Sequence, residues 1–146
     1  MFLLNKKAVK NDGKIEVRLN GTSDLDFIAI IKNRLGKDIL NDFPNLIFYD
    51  YTKVIGKMLK YKGSNYVLTF SRSEINEAEC KKALSIGANV SVVFDHKKPM
   101  PKMYLGAEVV NGDEADDIMI NTSGKILGLK AKGKNAKADI SGFVVR

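Results

Sequence analysis

The chain has 146 residues, a length for one domain, and 45% hydrophobic residues, enough to build a core and to exclude wholesale disorder. Its 24 lysines and arginines against 17 acids give a net charge of +7 and a pI near 9.4, which favours anionic partners such as nucleic acid, phosphorylated small molecules or an acidic protein. One cysteine, Cys80, excludes an intrachain disulfide, a Cys-rich zinc site and a thiolate-held iron cluster.

The apolar start Met1-Phe2-Leu3-Leu4 is broken by Asn5-Lys6-Lys7 and is too short for a signal peptide. No window approaches the ~18 apolar residues of a membrane span. The expectation is a cytoplasmic protein with no membrane partner. Residues 14–19 read as a strand, with Ile15, Val17 and Leu19 alternating with Glu16 and Arg18. A helical pattern follows at once: Ser23 and Asp26 have capping-box spacing, and Phe27, Ile31 and Leu35 recur every fourth residue. Pro44 stops a short helical turn, and residues 46–49 form a second apolar strand. That strand is expected to end at Asp50-Tyr51-Thr52-Lys53, with Lys53 in the first turn of the next helix.

Gly63-Ser64-Asn65 marks a turn before a third strand at 66–70. Residues 71–89 carry the clearest helix, with Ser71 and Glu74 at capping-box spacing and Gly87 as its stop. Residues 90–94 form a fourth strand. Strands alternating with helical segments imply crossover connections and parallel pairing. The predicted class is α/β: about four parallel strands with crossover helices over residues 14–96, as an open Rossmann-like sheet or a half barrel. After Phe94 the helical period vanishes. Short strand-like runs separated by Asn111-Gly112 and Ser123-Gly124 predict a small β-meander over residues 97–146 of the same domain.

In parallel α/β sheets, ligands bind beyond the carboxyl ends of the strands. The polar groups expected there are Thr22 and Asp24 after the first strand, Asp50, Thr52 and Lys53 after the second, and Ser71 and Arg72 after the third. Hydroxyls, helix starts and cations gathered on one edge suit a phosphate. The competing reading is local: Thr22, Ser23, Ser71 and Ser73 have the chemistry of ordinary N-caps, and Lys53 and Arg72 could pair with Asp24 or Asp50. His96 beside Asp95 reads first as a surface histidine and only second as a base or metal ligand, since no defined nucleophile accompanies it.

The NGDEADD segment holds four acids in five positions. Asp113, Asp116 and Asp117 could hold magnesium there, but the spacing does not fit an EF-hand and a hydrophilic hairpin tip explains it better. No required cofactor follows from the sequence; magnesium enters only with an enzyme reading. Neither GxGxxG, GxxxxGK[ST] nor GxSxG occurs. Lys130, Lys132, Lys134 and Lys137 form the most basic stretch, without the interleaved aromatics that stack single-stranded bases. It suits contact with a phosphate backbone, or a solvated loop.

The blocks VRLNGTSDLDF, FYDYTK, NYVLTFSRSE, ANVSVVF, NGDEADD and GLKAKGK followed by GFVV occur in this order. In them the chain resembles an uncharacterised family of phage and plasmid proteins, distantly similar to the mycobacteriophage gene product 88 family, over roughly residues 15–146. The resemblance implies a mobile-element protein in a bacterial cytoplasm. Three functions are carried forward: binding of nucleic acid or a phosphorylated ligand, a magnesium-dependent enzyme acting on a phosphate ester, and an inhibitor binding a host defence protein such as a CRISPR component.

Overall fold

A computed structural model describes residues 1–10, 14–114 and 117–146. The elements run α1 (Phe2–Lys10), β1 (Ile15–Arg18), α2 (Phe27–Leu35), α3 (Ile39–Asp42), β2 (Leu46–Thr52), α4 (Ile55–Tyr61), β3 (Tyr66–Ser71), α5 (Glu77–Ser85) and β4 (Val90–Phe94). They continue with β5 (Met103–Tyr104), β6 (Ala107–Asn111), α6 (Ile118–Asn121), β7 (Ile126–Lys130) and α7 (Gly133–Lys137). The fold is mixed α/β, with one seven-stranded sheet in the order β1-β2-β3-β4-β7-β6-β5. All neighbours pair in parallel except β5 and β6.

Parallel strands are buried on their faces, and their side chains follow that rule. Leu46, Phe48, Asp50 and Thr52 are the buried alternation of β2, and Val90, Val92 and Phe94 are that of β4. Helix α5 adds Cys80 and Ala83, three residues apart and both fully buried. Helices α4 and α5 touch each other and the central strands, which closes a core around Phe48, Phe70, Val90 and Ile126.

Several expectations need correction. The C-terminal third is no separate meander: β6 and β7 are parallel and extend the main sheet, with Val90 to Phe94 registered against Ile126 to Lys130. The strand-like run between Asn111-Gly112 and Ser123-Gly124 contributes, in its described part, helix α6 instead. Asn111-Gly112 therefore leads to a helix and not to a hairpin. Among the described residues the tight hairpin is β5–β6, which turns at Leu105-Gly106, both at positive φ (50° and 81°). That is the geometry of a two-residue primed turn, and a leucine at its first position gives no sequence signal for it.

The helix starts also move. Asp26, not Ser23, caps α2, its carboxylate accepting the Ala29 N–H at 3.0 Å. Ser71 belongs to β3 and α5 begins only after Asn76, so the Ser71–Glu74 spacing caps nothing. β2 runs on to Thr52 and α4 starts at Ile55, so Lys53 lies in a bend ahead of the helix.

β3 and β4 share only the pairs Phe70–Val90 and Ser71–Ser91 before they diverge. The C-terminal segment enters the gap. Val145 bridges Phe94, donates to the Val93 carbonyl and accepts from the Asp95 N–H, each hydrogen bond 2.9 Å. No described helix is long and apolar enough to cross a membrane.

Candidate functional site

The carboxyl ends of β1, β2 and β3 surround a concavity of about 350 Å³. Thr22, Asp24, Thr52, Lys53 and Ser71 line it, as do Arg18, Asn20 and Ser23. Five of the seven positions singled out from strand ends thus share one hollow. Asp50 and Arg72 do not line it.

Asp24 organises the rim. One carboxylate oxygen accepts the Thr52 hydroxyl at 3.0 Å and the Lys53 N–H at 2.7 Å. The other meets the Lys57 ammonium at 3.3 Å, and that lysine side chain is only 4% exposed. Lys57 also donates to the Leu25 carbonyl at 3.1 Å. A charge taken this far out of water needs a partner, and Asp24 is that partner. The Lys53 ammonium forms no hydrogen bond or ion pair among the described residues and remains exposed.

Asp50 sits beneath the hollow, fully buried on the inward face of β2. It accepts the Asn20 backbone N–H at 2.8 Å, the Asn20 side-chain amide at 2.9 Å and the Tyr66 hydroxyl at 2.7 Å. Burial above all, then the Asp50 carboxylate, pushes the Tyr66 phenol far above its ordinary pKa. Asn20 in turn accepts the Ser23 hydroxyl at 2.8 Å, so Asp50 shapes the loop that follows β1. Arg18 approaches Asp50 at 3.9 Å, rests over the Tyr51 ring at 5.3 Å and keeps 43% of its side chain exposed. The expected polar strand exit at Asp50 is in fact a carboxylate within the strand, holding the floor of the hollow.

Arg72 turns elsewhere. Its guanidinium donates to the Gly142 and Phe143 carbonyls at 2.7 and 2.8 Å and so anchors the C-terminal segment. Sequence reading missed Arg18 and Lys57. Arg18 carried a usable signal, since it ends β1 two residues before Asn20-Gly21. Lys57 carried none: an α4 lysine reads as solvated until its partner is known.

The basic stretch divides. Lys130 donates to the Asp95 and Lys98 carbonyls, and Lys132 pairs with Asp113 at 2.7 Å. Lys134 and Lys137 lie on or beside the exposed turn of α7. Asp113 also accepts the Lys130 N–H at 2.8 Å. Burial acts to raise its pKa, but the Lys132 and Lys130 donors outweigh it and hold the carboxyl below the ordinary range. Asp117 is exposed and bonded to Asn121, and Asp116 lies outside the described residues. Among the described residues no three acids, histidines or cysteines gather as a metal-binding group. His96 is partly exposed, its Nδ1 3.2 Å from Asp95.

A family model described as Gene product 88 matches residues 3–146. The chain therefore belongs to the gene product 88 family, a phage gene product family. No curated protein and no solved structure matches it.

Proposed function

We propose that this member of the gene product 88 family binds a phosphorylated ligand, or the phosphates of a nucleic acid, in the hollow at the carboxyl ends of β1, β2 and β3. The observation that carries this reading is the pairing of Arg18 and Lys53 on one rim, both exposed, beside the Thr22, Ser23 and Ser71 side chains. Around the hollow stand three cations, Arg18, Lys53 and Lys57, against two carboxylates, Asp24 and Asp50. Both carboxylates already hold internal donors, which leaves positive charge facing outward. An arginine fork and a lysine point charge are the usual protein partners of phosphate oxygens. The volume lies at the lower end of ligand sites, about 300–1,000 Å³.

The sheet, read as the open Rossmann-like kind, supplies the edge on which such sites form. The net charge of +7, with Lys134 and Lys137 exposed, adds long-range attraction for polyanions. A phage or plasmid origin fits such a binder working in the bacterial cytoplasm. The metal-dependent phosphate-ester reading draws less support, because Asp24 and Asp50 direct their oxygens to protein donors.

Thermal-shift and calorimetric titrations with inorganic phosphate, nucleotides and short oligonucleotides at low salt test the proposal. Binding is expected to weaken as salt rises. Lys53→Ala and Arg18→Gln are each expected to weaken it about tenfold or more, with Lys53→Ala leaving the melting temperature unchanged. Absence of binding by every one of these ligands, or undiminished binding by both variants, would refute the assignment.

A further inference from the structure

The strand order contains a reversal. From β1 to β4 each new strand is added on the same side, whereas β6 is followed in the chain by β7 placed back towards β4. The sheet therefore changes direction between β4 and β7, and in α/β sheets ligand crevices form outside the carboxyl ends at such a point. A cavity of about 390 Å³ lies at the carboxyl end of β4 and shares no lining residue with the hollow described above.

The walls of this cavity are unlike those of the first. Phe94, Met100, Tyr104 and Val145 are among its lining, joined by Pro99 and Pro101. Tyr104 stands edge-on to Phe94 with ring centroids 5.5 Å apart. Neighbouring Met103 is 57% exposed, so the apolar wall reaches the surface. The loop that forms it is held from below. Lys130 bonds the Asp95 and Lys98 carbonyls, and Gly128 leaves room for Met100, because a β-carbon there would stand 2.7 Å from the Met100 sulfur.

Cations rim the apolar walls. Asp95 is the one carboxylate side chain in the lining, and the Lys97 N–H at 3.0 Å, Arg146 at 3.1 Å and His96 Nδ1 at 3.2 Å already surround it. The Lys98 ammonium forms no hydrogen bond or close ion pair among the described residues, and only its charge acts on Asp95. Aromatic, methionine and proline surfaces accept flat rings, and a lysine whose donors are unused at their edge selects a negative substituent.

We propose that this cavity is a second ligand site, one that takes a flat heterocycle bearing an anionic group, of the nucleoside monophosphate class. It is independent of the first site. Adenosine monophosphate serves as the probe, with adenosine and ribose 5-phosphate as its two halves. The full-length protein is labelled on its methionine methyl groups and followed by NMR. Saturable shifts are expected at Met100 and Met103, and none at the buried Met58 and Met119. Each half is expected to bind more weakly than the whole.

Lys98→Glu is expected to weaken binding about tenfold, since it removes an attraction and adds a repulsion. Its melting temperature should change little, because the Lys98 ammonium makes no hydrogen bond and only its charge acts on Asp95, which Arg146 and the Lys97 N–H continue to hold. Lys53→Ala should leave the Met100 and Met103 shifts intact, which separates this site from the first. The proposal is overturned if neither methyl group moves, if Lys98→Glu binds as the unmodified protein does, or if ribose 5-phosphate binds as well as the nucleotide.

Discussion

Asp50→Asn changes one oxygen to an amide nitrogen at a fully buried position. The carboxylate accepts three hydrogen bonds, two on the oxygen shared by the Asn20 amide and Tyr66 and one on the oxygen facing the Asn20 N–H. An asparagine must turn its NH2 towards one of these sides. Either way an N–H group faces an N–H of Asn20 where no water can intervene. Loss of a charged acceptor costs about 1.5–3 kcal/mol and an unsatisfied buried donor about 1–3 kcal/mol, so a combined loss of about 2.5–6 kcal/mol is expected. At about 3 °C per kcal/mol for a chain of this size, the melting temperature should fall by about 8–18 °C. Calorimetry and urea titration with an unchanged m-value would report it. Tyr66→Phe removes only one donor and should cost about 1–2 kcal/mol. An Asp50→Asn protein melting within about 1 °C of the original would refute the view that this carboxylate holds the β1–β2 end together.

Three further outcomes are expected. Asp26 has its carboxyl held below the ordinary range: burial acts to raise it, and hydrogen bonds from Lys60, Tyr61 and the Ala29 N–H outweigh that. Its stabilisation is therefore complete above the unfolded value of about 4 and is lost as pH falls through the lower folded value, so Asp26→Asn should flatten the acid limb of a stability–pH profile. Arg72→Ala should release the C-terminal segment, read as faster hydrogen exchange at Val145 and Asp95 than at the Phe48 amide; uniform acceleration at all three would argue for global destabilisation instead. Cys80 is fully buried, and burial pushes its thiol up to about 11, so a thiol reagent at neutral pH should modify it only at the rate of unfolding.

The sequence by itself determined the alternation of strand and helix from β1 to β4. Hydrophobic period is local: Ile15 and Val17, or Val90, Val92 and Phe94, mark one face of a strand wherever its neighbours lie. It also marked the hollow, because polar residues must appear where parallel strands leave the core, which is why Thr22, Asp24, Thr52, Lys53 and Ser71 meet there.

Tertiary structure decided which side chains face that hollow and which hold the fold. Asp50 and Asn20 are 30 residues apart, and Arg72 finds its acceptors 70 and 71 residues away. Nothing in the local pattern distinguishes a carboxylate that closes such a contact from one that meets a ligand. The helix caps moved for a related reason. Ser23 had a partner in Asn20 and left the α2 start to Asp26, although both have capping chemistry. Strand order was equally beyond local reading, since β6 and β7 carry the same β signals whether they form a meander or extend the sheet. The edge of β4, which β7 pairs from Ile126 to Lys130, settled that choice, and with it the reversal of strand order beside the second cavity.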